Sequence, residues 1–299
     1  RIAHFFFFIG LQKGDVVAVY LENRPELLAI VTGLAKIGVI SALVNTSQTG
    51  KILTHSVNLV KPKMAIVGDE LVSNFSEVLA DLDIDSSKLF WLADEDTLKS
   101  PGTPPSGYRN LATEISPQPT YNPATTNQNY RNDGLFYIYT SGTTGMPKAA
   151  IFSHGRWMKA YGAFGYTMQM GKTDVIYVTL PFYHATAMCV CWGSALAGAS
   201  GVAMRRKFSA REFWEDCRKY RATAIGYVGE LCRYLNEVPA KPIDRDHLVR
   251  KAIGNGLRPG IWMPFKKRFG IEQVLELYAS SEGNIGFSNI FNFDNTVGF

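Results

Sequence analysis

The sequence predicts an α/β protein with parallel sheets flanked by helices. Short apolar runs alternate with longer amphipathic segments along most of its 299 residues. This alternation is typical of parallel strands joined by crossover helices. Hydrophobic residues make up 46% of the sequence and charged residues 19%, which indicates an ordered globular protein. A chain of this length is expected to form one large domain or two.

Strands are predicted where an apolar run is short, continuous and bounded by Gly, Pro or polar residues, as buried parallel strands are. Such runs occupy residues 16–20, 39–44, 64–67, 88–92, 135–139, 149–152, 174–180, 201–204, 223–228, 248–253 and 274–278. The run at 274–278 is the last clear strand in the sequence.

Helices are predicted between these strands, where apolar residues recur at helical spacing. The segments are 25–34, 51–60, 75–82, 154–170, 185–197, 230–235 and 262–269, with a further helix opened by a capping box at 209–212. Pro25 suits the first turn of the first helix, and Gly38 is well placed to end it.

Two stretches break the alternation. Residues 94–132 are rich in Pro, Thr, Ser, Asn and Gly, and they are predicted to be a loop-rich linker inside a single partial domain spanning 1–299. Residues 185–204 carry no charge and have the length of a membrane-spanning segment. Most of them are small residues that contribute little free energy of transfer from water into a membrane. We therefore favour a buried helix and strand in the core over a membrane span.

Charge and cysteine content exclude several classes of protein. The net charge of +5 is modest, and the basic clusters at 205–207 and 266–268 are interpreted as solvated faces, not as a nucleic-acid surface; contact with anionic lipid is an equal alternative. The four cysteines form no Cys-x-x-Cys pair, which suits buried, inert thiols in a reducing compartment. The chain starts at Arg1 without a signal peptide, so we expect it to be a fragment.

A hydroxyl-rich segment joins the predicted strands 135–139 and 149–152. It consists of Tyr139, Thr140, Ser141, Gly142, Thr143, Thr144, Gly145, Met146, Pro147 and Lys148. Its glycines let main-chain N–H groups approach a ligand, successive N–H groups with hydroxyls form an anion nest, and Lys148 adds a compact positive charge. We interpret it as a polyphosphate-binding loop, with a simple turn as the alternative. Pro147 between Gly145 and Lys148 excludes a Walker A loop.

Three further motifs each follow a predicted strand directly, and ligands in parallel sheets bind at the carboxyl ends of strands. The first ends at His184, the second contains Gly254, Asn255 and Gly256, and the third contains Tyr278, Ser281 and Glu282. Taken singly, a packed histidine, a tight turn and an exposed glutamate would explain them.

The residue order at 139–148 resembles the signature segment of the adenylate-forming superfamily, which includes acyl-CoA synthetases, firefly luciferases and peptide-synthetase adenylation domains. The family pattern is Tyr-Thr-Ser-Gly-Thr-Thr-Gly-x-Pro-Lys-Gly, and this chain has Ala149 in place of the last glycine. Residues 278–282 are similar to the family pattern Tyr-Gly-x-Thr-Glu, with Ala279 and Ser281 as the departures. Ala149 and the form of residues 254–259 resemble the fatty acid transport protein and very-long-chain acyl-CoA synthetase branch.

The resemblance covers nearly the whole chain and implies the large N-terminal domain of the adenylate-forming fold, with ATP, Mg²⁺ and coenzyme A as ligands. It implies catalytic roles for Thr140, Lys148, His184 and Glu282, nucleotide contacts for Tyr139, Ser141, Gly142, Thr143, Thr144, Gly145, Gly254, Asn255, Gly256, Tyr278 and Ser281, and metal contacts for Glu282 and Thr144. Lys148 is expected to face pyrophosphate, His184 to lie beside the acyl carbonyl, and Tyr278 to stack on adenine.

The implied function is ATP-dependent ligation of long-chain or very-long-chain fatty acids to coenzyme A, coupled to fatty acid uptake. Two alternatives stay open: another enzyme that adenylates aryl, medium-chain or amino acids, and a non-catalytic membrane carrier of fatty acids. The full-length parent is expected at a membrane, the endoplasmic reticulum or plasma membrane if eukaryotic, with its active site facing the cytoplasm and no nucleic-acid partner. The family's small C-terminal domain has no counterpart before Phe299, so we expect the chain alone to be nearly inactive.

Overall fold

The structure is a computed structural model that describes residues 1–94, 102–140, 145–283 and 285–297. The chain divides into two compact units, Arg1–Arg156 and Trp157–Phe299. Each unit contains one mainly parallel sheet, which confirms the predicted α/β class. The division follows Arg156 and does not fall within the predicted linker at 94–132.

The first unit contains a seven-stranded sheet in the order β5-β4-β3-β1-β2-β6-β7. Its strands are β1 (Val16–Tyr20), β2 (Ile40–Leu43), β3 (Met64–Gly68), β4 (Leu89–Leu92), β5 (Arg109–Asn110), β6 (Gly134–Thr140) and β7 (Lys148–Ser153). Its helices are α1 (Ile2–Phe8), α2 (Pro25–Ala35), α3 (Gly50–Leu59), α4 (Val72–Val78) and α5 (Leu111–Ile115), and α6 (His154–Met168) begins in this unit. All strand pairs are parallel except β6 with β7, which are antiparallel.

The central strands of the first unit are buried along their whole length, as their continuous apolar sequences predict. Pro25 stands at the start of α2 as expected, and Gly38 has a φ of 70°, a left-handed conformation that suits glycine and lets the chain leave the helix. One face of the sheet packs on α3 and α4 through large side chains that include Tyr20, Phe75 and Trp91.

Three elements of the first unit are missing from the sequence-based prediction. The helix α1 buries Phe5 and Phe6 in an apolar run that carries no polar face. Within the predicted linker, β5 pairs with β4, and α5 is capped by Asn110, whose Oδ1 accepts the Thr113 N–H at 3.2 Å. These elements are too short to show a periodic pattern, and the linker prediction is corrected for this part of the segment.

The second unit contains a six-stranded sheet in the order β13-β12-β11-β10-β8-β9. Its strands are β8 (Val175–Val178), β9 (Gly201–Met204), β10 (Ala224–Val228), β11 (Lys251–Asn255), β12 (Gln273–Ala279) and β13 (Gly286–Ser288). Its helices are α7 (Trp192–Ala197), α8 (Phe213–Lys219), α9 (Gly229–Glu237) and α10 (Pro259–Phe269), and a π-helical stretch, Thr186–Cys191, leads into α7. The short β13, which the sequence did not predict, is antiparallel to β12, and the other pairs are parallel.

The helical part of the uncharged stretch 185–204 is mostly buried in the second unit, as predicted, whereas its strand lies at the edge of the sheet and buries only Ala203. The π-helical stretch and α7 bury most of their side chains, and β9 lies at its predicted bounds. In the described ranges, no helix combines the length and the apolar character that crossing a bilayer requires. The four cysteines are buried and unbridged, and burial raises the pKa of Cys191 to about 12.

The capping-box prediction at 209–212 is only partly right. The Glu212 N–H donates to Ser209 Oγ at 3.4 Å, but α8 begins at Phe213, one residue after Glu212. Ser209 therefore closes the turn that precedes the helix instead of capping the helix itself.

Candidate functional site

Four parallel strands of the second unit end at one edge of its sheet. The strands β12, β11, β10 and β8 are neighbours in that order, so the residues that follow them share this edge. His184 follows β8, Asn255 ends β11, and Tyr278 lies at the end of β12. A direct contact joins two of these segments, because Thr186 Oγ1 donates to Asn255 Oδ1 at 3.2 Å. The three motifs predicted to follow strands therefore meet at one edge.

The predicted turn at 254–259 needs a correction, since Gly254 and Asn255 belong to β11. The strand begins at Lys251 and not at the predicted residue 248. Leu248 is apolar, but it is 51% exposed and lies outside the sheet. Gly254 pairs with Tyr227 of β10, and a Cβ added at 254 would overlap the Tyr227 carbonyl oxygen. Gly256 has a φ of 79°, the left-handed region that favours glycine. Gly254 therefore lets the main chains of β10 and β11 pack closely, and Gly256 provides the backbone conformation of the turn after β11.

Glu276 is a residue of this edge that the sequence did not single out. It lies on β12 and is only 2% exposed. Its carboxylate accepts a hydrogen bond from the Tyr227 hydroxyl and another from the Leu257 N–H at 3.1 Å. Glu276 therefore ties β10 and the chain after β11 to β12. The signal in the sequence is a single charge inside the apolar run 274–278, because a buried carboxylate requires hydrogen-bond partners.

Burial raises the pKa of Glu276 above its usual value of 4.5, although hydrogen bonds from Tyr227, Leu257 and Gly256 act in the opposite direction. The native state therefore binds this proton more tightly than the unfolded chain does. By linkage, the stability from Glu276 is fully present below pH 4.5 and is lost as the pH rises through its native pKa.

We expect the Glu276→Gln variant to lack this loss of stability, since glutamine does not titrate. The measurement is the free energy of unfolding in urea at several pH values between about 4.5 and 7.5, for wild type and variant. As a matched control, Glu272→Gln removes an exposed glutamate that precedes the same strand and should keep the wild-type pH dependence. Identical pH profiles for wild type and Glu276→Gln would contradict the prediction.

The residues after β12 present polar groups to solvent. The Tyr278 ring is 67% exposed at the end of the strand, and an exposed aromatic face is suited to stacking on a planar base. The Gly283 N–H donates to Ser280 Oγ at 2.9 Å and closes a turn in which Glu282 is exposed and Ser281 is half-buried.

The His184 ring lies against the ring of Tyr183, with 4.6 Å between centroids. His184 is exposed. Desolvation by the protein atoms around its ring nevertheless lowers the pKa of His184 below its usual 6.5. The imidazole is therefore neutral near pH 7, and a neutral ring has one donor and one acceptor nitrogen for a polar ligand.

The hydroxyl-rich segment (139–148) belongs to the first unit and connects β6 to β7. The strands pair in antiparallel register, with Tyr139 opposite Ala149 and Thr140 opposite Lys148. Ser141, Gly142, Thr143 and Thr144 lie outside the described residues. Gly145 has a φ of 90°, and the Lys148 side chain is exposed. Within the described part of the chain, Lys148 forms no ion pair, so its charge is available to an anion.

Tyr139 is buried in the core of the first unit, only 6% exposed. Its hydroxyl donates to the Ser56 carbonyl oxygen of α3 at 2.7 Å, and burial raises the pKa of Tyr139 well above 10. The side chain of Tyr139 is therefore not available to a nucleotide, and the predicted contact would have to come from its main chain.

His55 of α3 contacts the other end of the hydroxyl-rich segment. Its Nε2 lies 3.0 Å from the Pro147 carbonyl oxygen, and an open cavity of about 480 Å³ lies beside this contact. Residues that line the cavity include His55, Lys61, Tyr137, Met146 and Lys148. No local signal marks His55 in the sequence, because the contact joins residues that are 92 positions apart.

Comparison with known proteins identifies relatives over the whole chain. A family model described as "AMP-binding enzyme" matches residues 1–298. The chain is 39% identical over 290 residues to the medium/long-chain-fatty-acid–CoA ligase FadD6 of Mycobacterium tuberculosis, covering 97% of this chain and 46% of that protein. It is 40% identical over 302 residues to human long-chain fatty acid transport protein 1, covering 100% of this chain and 45% of that protein. The chain thus spans slightly under half the length of these relatives.

Solved structures share the fold at low sequence identity. The inhibitor-bound N-terminal domain of FACL13 from Mycobacterium tuberculosis superposes with a TM-score of 0.79 at 20% identity, covering 99% of this chain and 72% of that one. The anthranilate CoA ligase AuaEII in complex with anthranoyl-AMP has a TM-score of 0.84 at 18% identity, covering 96% and 54%. At such identities the likeness shows the fold alone.

Proposed function

Because the chain belongs to the AMP-binding enzyme family, we propose that the protein is an ATP-dependent ligase of long-chain or very-long-chain fatty acids and coenzyme A. The observation that carries the proposal is one edge of the sheet in the second unit. There the segment with His184 follows β8, Asn255 ends β11, and the segment with Glu282 follows β12. The acyl substrate is proposed from two relatives, whose names refer to fatty acid–CoA ligation and to long-chain fatty acid transport.

In the proposed first step, a carboxylate oxygen of the fatty acid attacks the α-phosphorus of ATP. A bond forms between this oxygen and the α-phosphorus as the bond between the α-phosphorus and the pyrophosphate oxygen breaks. The products are acyl-adenylate and pyrophosphate. Catalysis of such a step depends mainly on positioning and on charges aimed at the phosphates. Lys148 supplies a positive charge for the pyrophosphate, with Thr140 beside it in the hairpin. Tyr278 stacks on adenine, and Ser281 donates its hydroxyl to phosphate.

In the proposed second step, the thiolate of coenzyme A attacks the acyl carbonyl. The carbon–sulfur bond of the thioester forms as the bond between the acyl carbon and the phosphate oxygen breaks, and AMP leaves. His184 lies beside this carbonyl in our proposal. Its lowered pKa keeps the ring neutral, so it orients the acyl group by a hydrogen bond without adding a charge next to the thiol.

The residues present fit a Mg²⁺ ion that is held mainly by nucleotide oxygens. In the described ranges, no three His, Cys, Asp or Glu side chains are grouped to hold a metal ion by themselves. Mg²⁺ commonly binds one or two carboxylates together with phosphate oxygens and water. The exposed Glu282 is the carboxylate that we propose, with Thr144, which lies outside the described residues, as a second oxygen ligand. When bound, Mg²⁺ neutralises phosphate charge.

The direct test is ATP–pyrophosphate exchange by the full-length protein with oleate as the acid. We expect exchange that depends on oleate, and little exchange by the 299-residue chain alone. Faster exchange with aryl, medium-chain or amino acids than with oleate would favour a different adenylating enzyme. Strong exchange by the chain alone would contradict the expectation that it needs further parts of the protein.

The non-catalytic carrier is tested by uptake of a labelled long-chain fatty acid into cells. If ligation drives uptake, Glu282→Ala in the full-length protein lowers uptake in proportion to ligase activity. Uptake that survives this substitution would support the carrier. We further propose that the full-length protein associates with a membrane, with its active site facing the cytoplasm, because several relatives are named as transport proteins.

A further inference from the structure

We propose that His55 is a positioning residue for Lys148, and that α3 holds both ends of the hydroxyl-rich segment. Two hydrogen bonds carry this inference. At the β6 end, the Tyr139 hydroxyl donates to the Ser56 carbonyl oxygen at 2.7 Å. At the β7 end, His55 Nε2 lies 3.0 Å from the Pro147 carbonyl oxygen. Adjacent residues of one helix therefore bind opposite arms of the hairpin.

The two arms differ in how well they are packed. Tyr139 is buried in the core, so its arm is held by packing as well as by its hydrogen bond. On the other arm, Met146 and Lys148 are exposed, and the cavity of about 480 Å³ separates this arm from the end of α3. This arm is held by its strand pairing with β6, which places Lys148 opposite Thr140, and by Ala149, which packs against the core. The bond from His55 adds a contact at the peptide that precedes Lys148.

The acceptor of this bond is the peptide carbonyl immediately before Lys148. Fixing that peptide plane fixes where the Lys148 side chain starts. The imidazole donates from Nε2 in the neutral Nε2–H form and in the protonated form, so the bond does not require a particular charge state. A glutamine side chain also presents an N–H donor here, whereas leucine fills similar space without a donor.

This inference rests on the proposed function, in which Lys148 binds the phosphates of ATP. Lys148 contacts the phosphates of bound ATP before the reaction as well as in the transition state, so its misplacement weakens ATP binding and raises KM, in addition to any decrease of kcat. For the full-length protein with oleate, we expect His55→Leu to raise the KM for ATP about three- to tenfold, as loss of one hydrogen bond predicts. We expect His55→Gln to restore most of the wild-type value.

The matched control is His4→Leu. His4 also bonds a main-chain carbonyl in the first unit, with Nε2 2.9 Å from the Tyr121 oxygen, and has no part in the hairpin. Its KM for ATP should equal that of wild type. The inference is overturned if His55→Leu leaves this KM unchanged, or if His55→Gln is as impaired as His55→Leu.

A second readout separates this inference from the proposed function. Amide hydrogen exchange at Met146, Lys148 and Ala149 needs no turnover, and we expect it to be about three- to tenfold faster in His55→Leu than in His4→Leu, again matching one lost hydrogen bond. If amide hydrogen exchange is faster in His55→Leu but the wild-type protein has no ligase activity, the anchoring by His55 is supported and the proposed function is rejected. Equal amide exchange in the two variants would reject the anchoring.

Discussion

The Glu282→Gln variant of the full-length protein should catalyse oleate-dependent ATP–pyrophosphate exchange about 100- to 1,000-fold more slowly than wild type, the loss typical of removing one preorganised electrostatic group. The substitution keeps the size of the side chain and removes the negative charge that we propose for Mg²⁺. Because Glu282 is exposed in a turn after β12, solvent weakens its interactions there, and its replacement should change the stability of the fold by less than about 1 kcal/mol. Exchange rates and thermal unfolding of both proteins test this.

Glu272→Gln is the matched control for this experiment. Glu272 is also exposed and lies just before β12, at the opposite end of the strand from Glu282. The two variants change the net charge equally, so a difference between their exchange rates is caused by the position of the glutamate and not by the loss of a charge as such. An exchange rate in Glu282→Gln within about twofold of wild type, at saturating Mg²⁺, would remove Glu282 from the proposed metal site, given the size of the loss expected.

Gly254→Ala is expected to destabilise the protein by about 3 kcal/mol or more, at the upper end of the cost of overpacking. The added Cβ would overlap the carbonyl oxygen of Tyr227 on the neighbouring strand. Main-chain atoms cannot rotate away as a side chain does, so β10 and β11 would have to separate. Urea unfolding monitored by circular dichroism measures the change.

Gly162→Ala is the control for the same chemical change. Gly162 lies inside α6, and among the described residues no atom beyond its chain neighbours and the backbone of its own helix lies within 4 Å of a Cβ added there. Alanine in a helix interior should increase stability by about 1 kcal/mol, because glycine has the lower helix propensity. Equal stability of the Gly254→Ala and Gly162→Ala variants would show that β10 and β11 accommodate the methyl group.

The strands were more predictable from sequence than the connections. A strand covered on both faces is a continuous apolar run, and β1 lies at its predicted bounds for this reason. The edge strand β9 also lies at its predicted bounds, although Ala203 is its one buried residue. The opposite case is β5, which has two residues, Arg109 and Asn110, and exists only through its pairing with β4. Leu248 shows a further limit, since an apolar residue can extend a run without entering the sheet.

The candidate site was predictable where a motif follows a strand directly. Parallel topology then brings His184, Asn255 and Tyr278 to one edge without any knowledge of the contacts between them. The sequence analysis did not identify the residues that support the site, because their partners are distant in sequence. Glu276 bonds Tyr227 from 49 residues away, and His55 bonds Pro147 from 92 residues away. The charge inside the apolar run 274–278 marks Glu276 in the sequence, but the role of Glu276, like that of His55, becomes clear only when its partner is known.

The pairing of Thr140 with Lys148 across β6 and β7 lowers the entropic cost of binding at the hydroxyl-rich segment. Bringing the two ends of a flexible segment together reduces its conformational entropy, by an amount that grows with the logarithm of its length. Here the sheet brings the ends together when the first unit folds, before a nucleotide arrives. At the proposed nucleotide site, the entropic cost of this closure is therefore part of folding and does not reduce the affinity for the ligand.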